Sequence, residues 1–163
     1  MGAIAVHEFV SLDGVFEDPS WTFEFGFDPD MGDDIGRITR ASDAILLGRR
    51  TFEMFAPAWS PRTADDDPGA PFFNDSPKGV VSSTLDDQTA ERTWRNSRSL
   101  GAYDAERIRA FADEFSGGVY ISGSGSLGAG PAGRRTRRLA PSVRLSAGPW
   151  DGRTPVPRGK RAR

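Results

Sequence analysis

The 163-residue sequence has no cysteine and only one histidine, His7. The first absence excludes disulfides and thiolate metal sites in this chain and removes the usual argument for export. The second argues against a zinc site or a histidine-based catalytic triad. No apolar run approaches the roughly 20 residues of a membrane span. The N-terminal residues lack the basic-then-apolar pattern of a signal peptide. These absences together predict a cytoplasmic, metal-free chain. What is present includes 11 Phe and 4 Trp, enough for the core of one domain at this length.

Charges nearly cancel over the whole chain, at −2, but not along it. Gly128 to Arg163 holds 10 Lys and Arg and one acid, Asp151, which leaves 11 bases and 22 acids in Met1 to Leu127. The body is therefore −11 and the tail +9. Such a tail raises nucleic-acid or membrane binding as a reading. Its one aromatic is Trp150 and it shows no amphipathic helical period, so neither partner is expected.

The body is organised around Ser42 to Phe55. Ala44 to Leu47 is an uninterrupted apolar run, as in a strand buried on both faces. Gly48 stops it, Arg49, Arg50 and Thr51 follow, and a helix-compatible Phe-Glu-Met-Phe comes next. Thr51 is the expected cap of that helix. A strand, a glycine turn, two guanidinium groups and a helix N-terminus within about ten residues suit a phosphate. An ordinary turn with solvated arginines is the plainer alternative.

Ile4 to Ser11 reads as a central strand, followed by the Asp13-Gly14 turn. Asp13 is either a site carboxylate or a turn-former. His7, in mid-strand, reads as a hydrogen-bonded structural histidine rather than a catalytic one. Val15 to Phe27 is an aromatic loop without a period, able to cover a flat ligand or the core. Asp28 to Ser42 is a predicted helix starting near Asp28 or Asp30.

Pro57 to Pro77 reads as a long surface loop without regular structure. Lys78 to Leu85 holds a short strand, Gly79 to Ser82, that runs into Ser82, Ser83 and Thr84. These hydroxyls can donate to phosphate oxygens or stabilise a turn. Asp86 to Asn96 is polar, with Trp94 as the anchor of a short edge strand. Asp104 to Phe115 is a helix capped by Asp104 and ended by Gly117-Gly118. Val119 to Ser122 is a strand, and Gly123-Ser124-Gly125-Ser126 after it lets backbone approach a pyrophosphate.

Alternating strands and helices predict an α/β domain with a mainly parallel central sheet flanked by helices. Three strand ends then carry phosphate-type chemistry, where parallel sheets collect ligands. At this point Val10-Ser-Leu-Asp-Gly14, Leu46-Leu-Gly-Arg-Arg-Thr-Phe-Glu53, Pro77-Lys-Gly-Val-Val-Ser-Ser-Thr-Leu85 and Ile121-Ser-Gly-Ser-Gly-Ser-Leu127 can be read together. They resemble the dihydrofolate reductase-like family, in particular the C-terminal reductase domain of bacterial riboflavin biosynthesis and its stand-alone relatives.

The resemblance spans Met1 to Leu127 and implies an NADPH-binding reductase of a small heterocyclic or carbonyl substrate. It implies Gly48, Arg49, Arg50 and Thr51 on the cofactor phosphates, and Ser82, Ser83 and Thr84 near the adenosine phosphate end. Gly123, Ser124, Gly125 and Ser126 would line the pyrophosphate, with nicotinamide and substrate near Asp13 and Trp21. Asp13 is the candidate proton donor, with water as the alternative. A homodimer, as in relatives, is a further implication.

The tail, 128–163, departs from the family, which continues with an apolar helix, a Gly-Leu-Val-Asp-Glu turn and two strands. Here the chain reads Gly-Ala-Gly-Pro-Ala-Gly-Arg-Arg-Thr-Arg-Arg, and only Ser142 to Ser146 has a weak strand pattern. Its composition predicts C-terminal strands that are altered or missing. Read one nucleotide later, codons for Gly128 to Arg138 can spell Val-Arg-Ala-Leu-Leu-Ala-Asp-Gly-Leu-Val-Asp, close to the missing segment. An out-of-frame tail follows as a hypothesis. It adds a second functional reading: a non-catalytic or damaged nucleotide-binding domain.

Overall fold

The computed structural model describes residues 4–10, 28–124, 127 and 144–146. In chain order they form β1 (Ile4–Phe9), α1 (Pro29–Arg40), β2 (Ser42–Gly48), α2 (Arg49–Trp59), α3 (Ala70–Asp75) and β3 (Lys78–Val81). α4 (Asp87–Thr93), β4 (Ser97–Gly101), α5 (Ala105–Asp113), β5 (Gly118–Ser122) and β6 (Arg144–Ser146) follow. The sheet runs β4-β3-β2-β5-β1-β6, and every pairing is parallel. The four strands expected from the sequence are contiguous at its centre. All their carboxyl ends therefore share one edge.

β2 shows why an uninterrupted apolar run marks a central strand. Ile45 and Leu47 enter one core with Phe52, Ala56, Phe73, Val80, Trp94 and Tyr120. Ala44 and Leu46 enter the other with Val6, Phe111, Ala112, Val119 and Ile121. Residues of α1, α2 and α3 pack on the first face, and α5 on the second. Each large side chain so buried contributes about 1.5–3 kcal/mol. Gly79 makes room on the second face, since a Cβ there would meet Leu100 Cδ1 at 2.9 Å and Phe111 Cζ at 3.1 Å.

The caps of α1 and α5 are those the sequence predicts. Asp28 Oδ1 accepts from the Asp30 amide at 2.8 Å, and Asp104 Oδ1 from that of Glu106 at 2.8 Å. Each such cap stabilises its helix by about 1 kcal/mol.

Several boundaries differ from expectation, each for a local reason. β1 ends at Phe9, with Val10 already outside the strand. α2 starts at Arg49 with Gly48 as its N-cap, so Thr51 is inside the helix and buried rather than capping it. α2 also runs through Pro57, within the expected loop, because Phe52, Phe55, Ala56 and Trp59 keep one face on the core. The same loop contains α3, pinned by Phe73 stacking on Trp59 at 4.0 Å.

Asp86 to Asn96 is mostly helix, started by Asp86 accepting from the Thr89 amide at 2.8 Å. Trp94 lies buried beyond its end. The edge strand comes later, as β4. α5 stops at Asp113, before the Gly-Gly pair, where the Gly117 amide donates to Asp43 at 2.5 Å.

Two polar devices hold the β3–β4 side. Lys78 is fully buried, and its Nζ donates to the carbonyls of Asn74, Ser76 and Arg95 at 3.2, 2.9 and 3.0 Å. Burial, with the Arg95 cation, lowers its pKa to about 8. On the outer edge, the Ser97 and Ser99 amides of β4 face away from β3. They donate to Glu91 Oε2 at 3.1 Å and Asp87 Oδ1 at 2.7 Å of α4. Gly101 donates to Ser99 Oγ at 3.2 Å. Side chains thereby occupy the row of donors that an exposed edge strand would offer another chain.

In the tail, β6 pairs with β1 through His7↔Arg144 and Phe9↔Ser146. Three residues of the weakly patterned Ser142 to Ser146 segment thus do extend the sheet. The remainder of the tail lies outside the described residues.

Candidate functional site

The parallel sheet brings the ends of β2, β3 and β5 to one edge, and the chain leaves them in opposing directions. After β2 it enters α2, over the first core. After β5 it reaches Leu127, which packs on the second. Neighbouring strands whose continuations diverge in this way open a crevice at their carboxyl ends.

The crevice is locked from both sides. Ser124 Oγ accepts from the Gly48 amide at 2.9 Å and donates to Thr51 Oγ1 at 2.9 Å. The lock needs an unusual backbone, with φ of 61° at Gly123 and 65° at Ser124. Glycine suits the first of these, and a Cβ there would lie 3.0 Å from Thr51 Cγ2. The hydroxyl of Thr51, expected to cap α2, is thus the partner of Ser124.

α2 consequently begins without a side-chain cap. The amides of its first turn have no intrahelical acceptors and carry the positive end of the helix dipole. Arg49 and Arg50 beside them are exposed. Arg49 Nε lies 2.7 Å from Glu53 Oε1, and its guanidinium reaches Thr84 Oγ1. An exposed pair of this kind is worth about 0.3–0.5 kcal/mol. A charged hydrogen bond to phosphate is worth about 1.5–3 kcal/mol, so an arriving anion outcompetes Glu53. Arg50 makes no hydrogen bond or ion pair among the described residues.

At the end of β3 the roles divide. Ser82 Oγ accepts from the amides of Thr84 and Leu85 at 3.2 and 3.1 Å, so it builds the turn. Ser83 and Thr84 are exposed on that turn. Gly48, Arg49, Arg50, Thr51, Ser82, Ser83, Thr84, Gly123 and Ser124 therefore share one edge of the sheet. Asp13, Trp21, Gly125 and Ser126 lie outside the described residues.

A second group lies on the same edge: His7, read from the sequence as a hydrogen-bonded structural histidine, with Glu8 and Tyr120, which sequence reasoning passed over. His7, 1% exposed, pairs with Ser122 in the sheet, one residue before Gly123. Its Nδ1 lies 3.2 Å from the Tyr120 hydroxyl, while its Nε2 and the neighbouring Glu8 Oε1 are buried without a hydrogen-bond partner. Burial lowers the pKa of His7, raises that of Glu8 to about 7 and raises that of Tyr120 to about 12. The available signal was the spacing of Tyr120 and Ser122 on a strand predicted to lie beside His7. Among the described residues no three histidines or carboxylates converge as a metal site.

The profile of the RibD C-terminal domain family matches residues 3–122, most of the chain, including the turns after β2 and β3 and the whole of β5 but not the Gly123–Ser124 turn beyond it. No individual curated protein matches the sequence significantly.

Proposed function

The chain belongs to the RibD C-terminal domain family, a reductase-like domain of riboflavin biosynthesis, and from that premise we propose that it is an NADPH-dependent reductase. Its substrate on this reading is a small heterocycle or carbonyl compound. The observation carrying the proposal is the uncapped start of α2, flanked by two exposed arginines and locked to the Gly123–Ser124 turn.

This chemistry fits a dinucleotide phosphate better than a neutral ligand. Free helix amides and a close-approach glycine suit a pyrophosphate. Arg50, with Arg49 released from Glu53, supplies forked donors for a 2′-phosphate. Bound NADPH supplies the hydride. The chain's own work is to hold the reactants in line and to place polar groups around the acceptor. Asp13 is proposed as the proton donor to the reduced atom, and Trp21 as a substrate contact. A homodimer in the cytoplasm completes the proposal. Among the described residues no helix is long and apolar enough to cross a membrane.

NADPH oxidation, followed by its absorbance with a panel of heterocyclic and carbonyl acceptors, tests the reading. Steady turnover with at least one acceptor is expected. Tight NADPH binding with no turnover across the panel favours the non-catalytic alternative.

A further inference from the structure

Two of the groups proposed for the cofactor phosphates already share one oxygen atom. Ser124 Oγ accepts from the Gly48 amide at 2.9 Å and donates to Thr51 Oγ1 at 2.9 Å. It bridges the N-cap amide of α2 and a hydroxyl in the first turn of that helix. A phosphate oxygen at the same point would accept from both groups, because a threonine hydroxyl donates as readily as it accepts.

The space matches as well. Gly48 has no side chain, and a Cβ there would lie 3.3 Å from Ser124 Oγ and 3.5 Å from Ser124 Cβ. The close approach that a glycine offers a pyrophosphate is thus filled by the side chain of Ser124. Gly48 and Ser124 are both half-buried, so this point is not sealed in a core.

The arrangement is held at a cost. Ser124 has a φ of 65°, a left-handed conformation that is disfavoured for serine. Its two bonds join neutral groups. A phosphate oxygen brings charge, and charge-assisted hydrogen bonds are roughly twice as strong. Backbone strain and charge both favour exchanging the serine oxygen for a phosphate oxygen.

We propose that Ser124 is a latch on the cofactor site: its hydroxyl stands where a pyrophosphate oxygen bonds, and the cofactor displaces it. This rests on the reductase reading and deepens it, since it turns Ser124 from a lining residue into a competitor. In the exchange Thr51 changes from acceptor to donor, and Ser124 leaves the left-handed region. Stability and cofactor affinity are therefore opposed at this one residue.

The full chain and its Ser124→Ala variant are titrated with NADPH and with NADH, following tryptophan fluorescence, and each is unfolded in urea. Ser124→Ala should unfold more easily and yet bind both cofactors about three- to tenfold more tightly, as expected when one neutral hydrogen bond no longer has to be broken. A residue that only supports the site would lose stability and affinity together. The gain should be equal for the two cofactors, because they share the pyrophosphate. Ser124→Gly lacks the same hydroxyl without the backbone strain, so it should show the same gain and carries the test if the alanine variant does not fold.

Unchanged or weaker binding by the folded variants overturns the latch alone, and so does a gain confined to NADPH. A crystal structure of the wild-type chain with NADP+ reads the latch without any substitution. The Gly48 amide should bond a phosphate oxygen there, with Ser124 Oγ out of its reach, and an intact Gly48–Ser124 bond overturns the proposal. No NADPH binding by the wild-type chain removes the reductase reading and the latch with it.

Discussion

The amide of Gly48 donates to Ser124 Oγ at 2.9 Å across 76 residues of sequence. This bond ties the end of β2 to the turn after β5 and leaves α2 to start without a cap. Replacing Ser124 separates backbone strain from the lock. Ser124→Ala keeps the strain of a positive φ and strands the buried side of the Gly48 amide, a loss of about 1–3 kcal/mol. Ser124→Gly strands the same amide but relieves the backbone, so it should be the less destabilised of the two. Urea unfolding of both variants checks the order. An alanine variant as stable as wild type would show that the lock contributes nothing.

Glu8 makes stability depend on pH in an unusual direction. Burial raises its folded pKa to about 7 from 4.5. The folded state therefore holds a proton that the unfolded state has already lost. Its contribution is fully present below pH 4.5 and disappears as pH rises through about 7. Glu8→Gln should flatten this part of the curve and be more stable than wild type at pH 8. Melting temperatures from pH 4 to pH 8 for both proteins test this. Parallel curves would mean that Glu8 is solvated.

The α4 carboxylates make a prediction about association. With Glu91 and Asp87 replaced together by Ala, the outward amides of Ser97 and Ser99 lose their acceptors. β4 then becomes an open edge. Sedimentation at rising concentration should show higher-order association of the double variant but not of wild type. If both behave alike, these side chains do not guard the edge.

Much of this architecture was readable because local and tertiary signals agreed. β2 is apolar on both faces and is central. Asp28 and Asp104 are good caps in open positions and cap their helices. Misreadings arose where a long-range partner decided the outcome. Thr51 looks like a cap, but Ser124, 73 residues away, takes its hydroxyl. Pro57 looks like a helix stop, yet core packing of its neighbours carries the helix past it. Lys78 carried no reading of its own in the sequence, and only the meeting of three carbonyls explains its burial. His7 was visible as a lone histidine, but its hydrogen bond to Tyr120 depends on the β1–β5 register, which brings the two together.

The family match ends at residue 122, ahead of the tail. The proposed out-of-frame origin of 128–163 predicts that shifting the reading frame by one nucleotide after Leu127 restores an apolar helix and further strands. The restored protein should melt at a higher temperature and bind NADPH more tightly, because the helix and strands that the resemblance implies would cover this side of the sheet. β6 is the present tail's observed contribution, and slow amide exchange throughout 128–163 would show that the tail folds as written. That result, or a restored frame without gain in stability, contradicts the frameshift.

The phosphate-side reading is tested most directly by titrating NADPH and NADH in parallel against wild type and the Arg49→Ala/Arg50→Ala double variant, following tryptophan fluorescence. Wild type should prefer NADPH, because a ribose hydroxyl cannot take the forked, charge-assisted bonds a 2′-phosphate accepts. The double variant should lose about 1.5–3 kcal/mol of NADPH affinity and much less for NADH. Equal losses for the two cofactors, or no NADPH preference in wild type, would contradict the assignment of the α2 terminus as the phosphate site.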